Sequence, residues 1–260
     1  MTEIEQQILK QANKKNHKGI LGFFRKKYKT LTTEACCEIE ELELKKVMID
    51  SFSVFQQLPN LRSIYFYGCQ FSDSCYEEAI LFEQMEEVDF EAVPLKDLWI
   101  LEHFPNLQKI AFWDYGSKQK ISMSGIESVS ELRRFYSVNT LFTEMEQLAV
   151  CENLRWLEMD NYLPDVIKKQ EGDYSFVNHF RDLIHIGLMT GNVEDVSFLC
   201  KNKKLHEIIL CQNTQLKNLE LLSELKELNK IDLDDCKIPY NMKKKLLKLF
   251  SFVENVSIEN

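Results

Sequence analysis

The residues best suited to covalent chemistry in this chain are His185 and Cys211. A thiol beside an imidazole is a nucleophile with its base, provided the two approach to within about 3 Å. The carboxylates Glu87, Asp89 and Glu91 alternate along one short segment, and rows of acids of this kind are usually solvated. The cysteines Cys36, Cys37, Cys69, Cys75, Cys151, Cys200, Cys211 and Cys236 form no C-x-x-C pair, and no H-x-x-x-H accompanies them. A zinc site therefore lacks its ligand pattern, and the cysteines read as reduced, mostly buried thiols. There is no phosphate-binding Gly-rich loop, dinucleotide fingerprint or nucleophile elbow. The chain is expected to be no enzyme and to need neither cofactor nor metal.

Whether any of these groups meet depends on the elements that carry them. In Leu61–Phe71, LRSIYFYGCQF, apolar residues fall at Leu61, Ile64, Phe66 and Phe71, with a cysteine at Cys69. Ile64 and Phe66 have the alternation of a short strand buried on one side. A small polar group at Cys69 can satisfy backbone groups inside a turn, and Phe71 returns the chain to the core. The same phrase starts again at Ile39, Met85, Leu107, Leu132, Leu154, Leu183, Leu205, Leu228 and Val253. The positions three and five residues later stay apolar, as in Leu42/Leu44, Val88/Phe90, Ile110/Phe112, Leu157/Met159, Ile186/Leu188, Ile208/Leu210, Ile231/Leu233 and Val256/Ile258. The Leu132 copy departs, with Phe135 followed by Ser137.

This phrase resembles the L-x-x-L-x-L-x-x-N/C-x-L signature of leucine-rich repeat proteins, and the intervals lie within their roughly 20–29-residue period. The resemblance runs from about residue 37 to the end. The N/C position holds Cys69, Asn213 and Cys236, but elsewhere Val47, Val93, Tyr115, Thr140, Tyr162 and Gly191, so the family's asparagine ladder is mostly absent. The resemblance implies an α/β solenoid. It would have a curved parallel sheet on the concave face, and helices, 3₁₀ segments and loops on the convex face. Residues 37–260 would form about ten rungs, behind a basic helical cap at 1–36. Ser74–Gln84, Glu144–Val150 and Leu219–Leu228 look helical among the return segments. Asn241–Phe250 reads as an amphipathic helix with Lys243, Lys244 and Lys245 on its solvated face. Tyr115–Gly125 and Tyr162–Phe180 read as insertions, either surface loops or neighbours of a binding face.

The N-terminal part differs in charge. Ile4, Ile8 and Leu9 have helical spacing, and Lys10, Lys14, Lys15, Lys18, Arg25, Lys26, Lys27 and Lys29 follow, with Ile20, Leu21, Phe23 and Phe24 among them. The chain as a whole carries −9, so the repeats are more acidic still. A capping role accounts for this segment. The alternative is a basic amphipathic segment that touches an anionic surface. No run of eighteen apolar residues could span a membrane, and the N-terminus has no secretory apolar core. A cytoplasmic protein, monomeric in isolation, is expected.

Residues flanking each buried pair point outward. The candidate partner-binding residues on this face are Tyr65, Tyr67, Asp89, Glu91, Trp113, Tyr136, Trp156, Glu158, Asp160, His185, Asp232 and Asp234. The residues two, four and six places after each first apolar position make three columns on this face; His185 falls in the first and Cys211 in the third, too far apart to act as a pair. Aromatic rings among acids have the composition of an interface for a basic protein. Nucleic acid is not expected against so negative a body. The function expected is therefore a protein-binding module, and an immunity protein that neutralises a basic toxin is one version. The alternative is an adaptor or regulator localised through its basic N-terminus.

Overall fold

The computed structural model describes residues 1–15, 28–114, 119–163, 173–189 and 192–259. Ten of its strands make one parallel sheet. They are β1 (Glu41–Lys45), β3 (Ser63–Tyr67), β5 (Glu87–Glu91), β6 (Lys109–Trp113), β8 (Arg134–Val138), β10 (Trp156–Asp160), β11 (His185–Met189), β12 (Glu207–Ile209), β13 (Lys230–Asp232) and β14 (Asn255–Ser257). Each stands where the repeat phrase predicts it. The register aligns equivalent residues, so that Leu42, Ile64, Val88, Ile110, Phe135, Leu157, Ile186, Ile208, Ile231 and Val256 form one row. Two small parallel pairs follow the turns: β2 (Met48–Ile49) with β4 (Gln70–Phe71), and β7 (Lys120–Ser122) with β9 (Leu141–Thr143).

The turns are tight because one residue after the strand takes the left-handed conformation. It does so at Lys46 (φ 52°), Gly68 (φ 58°), Ala92 (φ 52°), Asn139 (φ 50°), Gln212 (φ 66°) and Asp235 (φ 58°). The N/C position then works as expected where it is polar. Asn213 donates to Leu188 and Leu210 carbonyls at 2.6 and 2.9 Å and accepts from Val193 N–H at 2.9 Å. The thiols of Cys69 and Cys236 reach the carbonyls of Leu44 and Leu210, at 3.4 and 3.0 Å.

The return segments correct the expectation of helices. Met145–Val150 and Leu219–Glu224 are 3₁₀, as are Phe52–Gln57, Trp99–His103, Ile126–Val129, Ser175–His179 and Ser197–Lys201. Ser74–Gln84 retains only the turn α3 (Asp73–Tyr76). A 3₁₀ segment rises about 2.0 Å per residue against 1.5 Å for an α-helix, so it crosses the back of a short rung with fewer residues. Leu58 (ψ 78°) and Phe104 (ψ 60°) end two of these segments just before prolines, where the α region is disfavoured. The predicted insertion at Tyr115–Gly125 contains β7; its residues 115–118, and 164–172 of the other insertion, lie outside the described residues.

The core repeats with the rungs. Phe66, Phe90 and Phe112 stack at 5.6 Å spacing, nearly parallel. Ser137 interrupts this row, fully buried and with its Oγ unpartnered. Phe142, from the strand behind, fills the space, 5.2 Å from Phe112 and 5.5 Å from Phe135.

The N-terminal end of the sheet is covered. Helix α1 (Glu3–Lys15) buries Ile8, Leu9 and Ala12 in the same core as the rungs, beside α2 (Thr33–Cys37). Its Gln7 and Gln11 behave as an artificial strand. Their Oε1 atoms accept from Lys45 and Glu43 N–H at 2.9 Å, and their amide groups donate to the Lys45 and Glu43 carbonyls. The free edge of β1 is thereby hydrogen-bonded. In the last rung α4 (Tyr240–Leu249) packs beside the 3₁₀ segment Leu219–Glu224 and buries Leu246, and Phe250 after it is buried as well. Lys244 and Lys245 are exposed, whereas Lys243 is partly buried and bonds the Ile258 carbonyl.

Candidate functional site

Strand alternation turns Tyr65, Tyr67, Asp89, Glu91, Trp113, Tyr136, Trp156, Glu158, Asp232 and Asp234 outward, all partly exposed. The parallel register sets them in columns whose neighbours are one strand apart. Two candidates differ. His185 and Asp160 keep only 2% and 3% of their surface, so they support the face rather than present themselves on it. Small residues permit this. Gly187 leaves room beside it: a Cβ there would stand 3.0 Å from Glu158 Cγ and 3.5 Å from His185 Nε2.

A polar and aromatic cluster occupies the middle of the face. Trp156 stacks on His185 and donates its indole N–H to Glu158 at 2.9 Å. His185 Nδ1 lies 3.0 Å from Glu207 Oε2, and its Nε2 lies 3.6 Å from Glu158, beyond a direct hydrogen bond. Tyr136 donates to Asp160 Oδ2 at 3.2 Å, and Tyr162, from the following loop, at 3.5 Å. Asp160 Oδ1 is buried without a partner. Trp113 leans onto Tyr136, ring centroids 4.8 Å apart. A pocket of about 360 Å³ opens beside Trp113, lined by Val93, Pro94, Leu95, Ile121 and Thr140 among others.

Burial shapes the electrostatics. It pushes the Asp160 carboxyl up to about 6, and the charge of Glu158 adds to the effect. It also raises Tyr136, Tyr162 and Asp89. Burial alone would raise Glu158 as well, but His185 and the Trp156 indole outweigh it and hold that carboxyl low. Tyr67 lies within reach of two ammonium groups, Lys45 at 5.8 Å and Lys46 at 5.6 Å from its ring.

The nucleophilic reading of His185 and Cys211 does not assemble. The Cys211 thiol lies 3.0 Å from Asp232 Oδ1. Burial and that carboxylate push its pKa to about 12, away from the thiolate that a nucleophile needs. Asp234 has a local task, accepting from Ser257 Oγ at 2.8 Å and Glu259 N–H at 2.6 Å. Among the described residues no cluster of three or more His, Cys, Asp or Glu could hold a metal ion, and no helix is long and apolar enough to cross a membrane.

Sequence reasoning missed two contributors. Tyr162 was visible only as an N/C position and the start of an insertion. Asn139, whose Oδ1 accepts from Tyr162 and Leu163 N–H at 2.7 and 3.0 Å, sits in the turn and outside the outward columns. Its signal was an asparagine at a left-handed position.

No family model matches the sequence, and no curated protein does. Solved structures do. An internalin C2 from Listeria monocytogenes aligns with a TM-score of 0.61 at 17% identity, over 88% of this chain and 93% of its own. TLR13, in a complex with ssRNA13, aligns with a TM-score of 0.58 at 18% identity, over 86% of this chain and 36% of its own. At these identities the likeness is one of fold.

Proposed function

Taking the chain as a leucine-rich repeat solenoid, we propose that its outward sheet face binds a basic segment of another protein and performs no chemistry itself. One observation carries this reading: Trp113 and Tyr136 lie against each other, partly exposed, on a face where acids outnumber bases. Rings in that position bury well against a partner, and the acids Asp89, Glu91, Glu158 and Asp232 attract cations over a distance. The pocket beside Trp113 has room for an apolar side chain of the same partner. Elevated carboxyl pKa values at Asp89 and Asp160 also suit a cationic partner, which would favour their ionised forms. An antidote that neutralises a basic toxin is the specific version that this acidic face suits best.

The test compares immobilised wild type with a Tyr65/Trp113→Ala variant that keeps its melting temperature. The reading holds if a basic protein is retained by the wild type, elutes with salt and is lost by the variant. Toxicity of that protein when expressed alone then separates antidote from adaptor. Equal retention by both baits would sink the reading.

The adaptor alternative rests on the basic residues between Lys10 and Lys29, of which 16–27 lie outside the described residues. Because α1 supports β1, deleting the N-terminus would confuse binding with folding. Replacing Lys18, Arg25, Lys26, Lys27 and Lys29 by Gln tests the alternative without removing the helix. If localisation survives that change, the alternative fails.

A further inference from the structure

One step toward the strand N-termini, the surface changes sign. From β1 to β13 the residue before each strand is bonded through the backbone to its counterpart on the neighbouring rung. Arg133 N–H donates to Gln108 at 2.9 Å, Arg155 to Arg133 at 2.9 Å and Ile184 to Arg155 at 3.0 Å. These bonds set Arg133 and Arg155 side by side at about the 4.8 Å strand spacing. Arg134 opens β8, directly between Lys109 and Trp156 on the neighbouring strands. Together these residues line a groove of about 410 Å³.

The acids near this groove are already engaged. Glu86 pairs with Arg62 at 2.6 Å and Glu87 with Lys109 at 3.1 Å. Asp182, which also feels Arg155, is bonded to Lys204. Among the described residues Arg133, Arg134 and Arg155 have no ion pair and no side-chain hydrogen bond, and all three are exposed. In a chain of net charge −9, three unpaired guanidinium groups have been gathered into one groove. Apolar surface adjoins them: Ile184 is 36% exposed, and Trp156 forms part of the wall.

We propose that this groove binds an acidic peptide segment of a protein partner. Its carboxylates would sit in the arginine forks, and an apolar side chain would lie on Trp156 and Ile184. A guanidinium offers planar, paired donors that match a carboxylate bidentately. Nucleic acid fits less well, because a longer polyanion would run from the short basic row onto the acidic columns beside it. The site is separate from the face proposed above, sharing only Trp156 with it. Each reading can fail without the other.

The test is fluorescence anisotropy with a fluorescein-labelled octapeptide, DEFEDFDE, against the full chain. The wild type should give saturable binding that weakens with added salt. Arg133→Gln with Arg155→Gln should weaken it by about tenfold or more without moving the thermal melt, since both side chains are exposed. Replacing both phenylalanines of the peptide by serine should weaken it by about threefold or more, the apolar share of the contact. A Trp113→Ala, Asp232→Asn variant should bind the peptide as the wild type does. The proposal is overturned if the double arginine variant binds within about twofold of wild type, if the wild type shows no saturable binding, or if a dodecamer of deoxythymidine binds as tightly as the peptide.

Discussion

Trp156 lies flat on the imidazole of His185, ring centroids 3.5 Å apart and planes within 6°. The indole closes one side of a histidine that has Glu207 and Glu158 at its two ring nitrogens. An aromatic residue predicted as a partner contact is therefore also a roof over a buried polar group. We expect Trp156→Ala to cost about 2–4 kcal/mol by chemical denaturation, and Trp156→Phe to recover most of it. An equal loss in both would mean that the indole N–H to Glu158, and not the stack, holds the site.

Asp160 predicts a pH dependence. Its pKa in the folded chain is about 6, above the ordinary 3.8, so the folded state holds this proton more tightly than the unfolded state. Stability from this residue is then full below about pH 4 and falls as the pH rises to 6, by at most about 3 kcal/mol. Asp160→Asn keeps an acceptor for Tyr136 and Tyr162 and removes the titration. The variant should be more stable than wild type at pH 7, with a difference that shrinks toward pH 4. A pH-independent difference between the two would refute this account.

Among the described glycines, Gly125 is the one whose replacement should be least tolerated. Its φ is 101°, and a Cβ would overlap the Trp99 backbone nitrogen and come within 2.7 Å of the Leu98 carbonyl oxygen. Both obstacles are backbone, so nothing flexible can yield. Gly125→Ala should cost roughly 3 kcal/mol or more. The comparison is Gly68→Ala, with φ at 58° in the left-handed helical region and only the Lys46 side chain in the way at 3.3 Å, which should cost about 1 kcal/mol. Thermal melts of the two variants check the order.

The amides of Gln7 and Gln11 make a prediction about association. Replacing both by Ala leaves the β1 edge with unpaired N–H and C=O groups, an edge that another chain can join. We expect concentration-dependent self-association by analytical ultracentrifugation, and about 2 kcal/mol less stability. A variant that stays monomeric would show that α1 blocks the edge by its bulk alone.

The sequence alone determined the sheet. Strand periodicity is two, the rungs repeat in parallel register, and one apolar phrase therefore says which side chains bury and which face out. Leu61, Ile64 and Phe66 fix that frame for every other copy, down to which residues neighbour one another across the strands. Even the aberrant Phe135–Ser137 copy keeps its place, because the backbone bonds of its neighbours hold it there.

What the tertiary structure decided lies where residues far apart in the chain compete for the same space. The depth of Asp160 and His185 depends on the missing side chain at Gly187 and on Tyr162 from a loop. The gap at Ser137 is closed by Phe142, one strand further on. Arg133 and Arg155 are unremarkable in sequence and form a row only because successive rungs share backbone hydrogen bonds. Gln7 and Gln11 read as the polar side of a helix until they meet the open edge of β1. Local pattern determines which way a side chain points; how deep it sits, and what it pairs with, follow from the packing of rungs that the pattern alone does not describe.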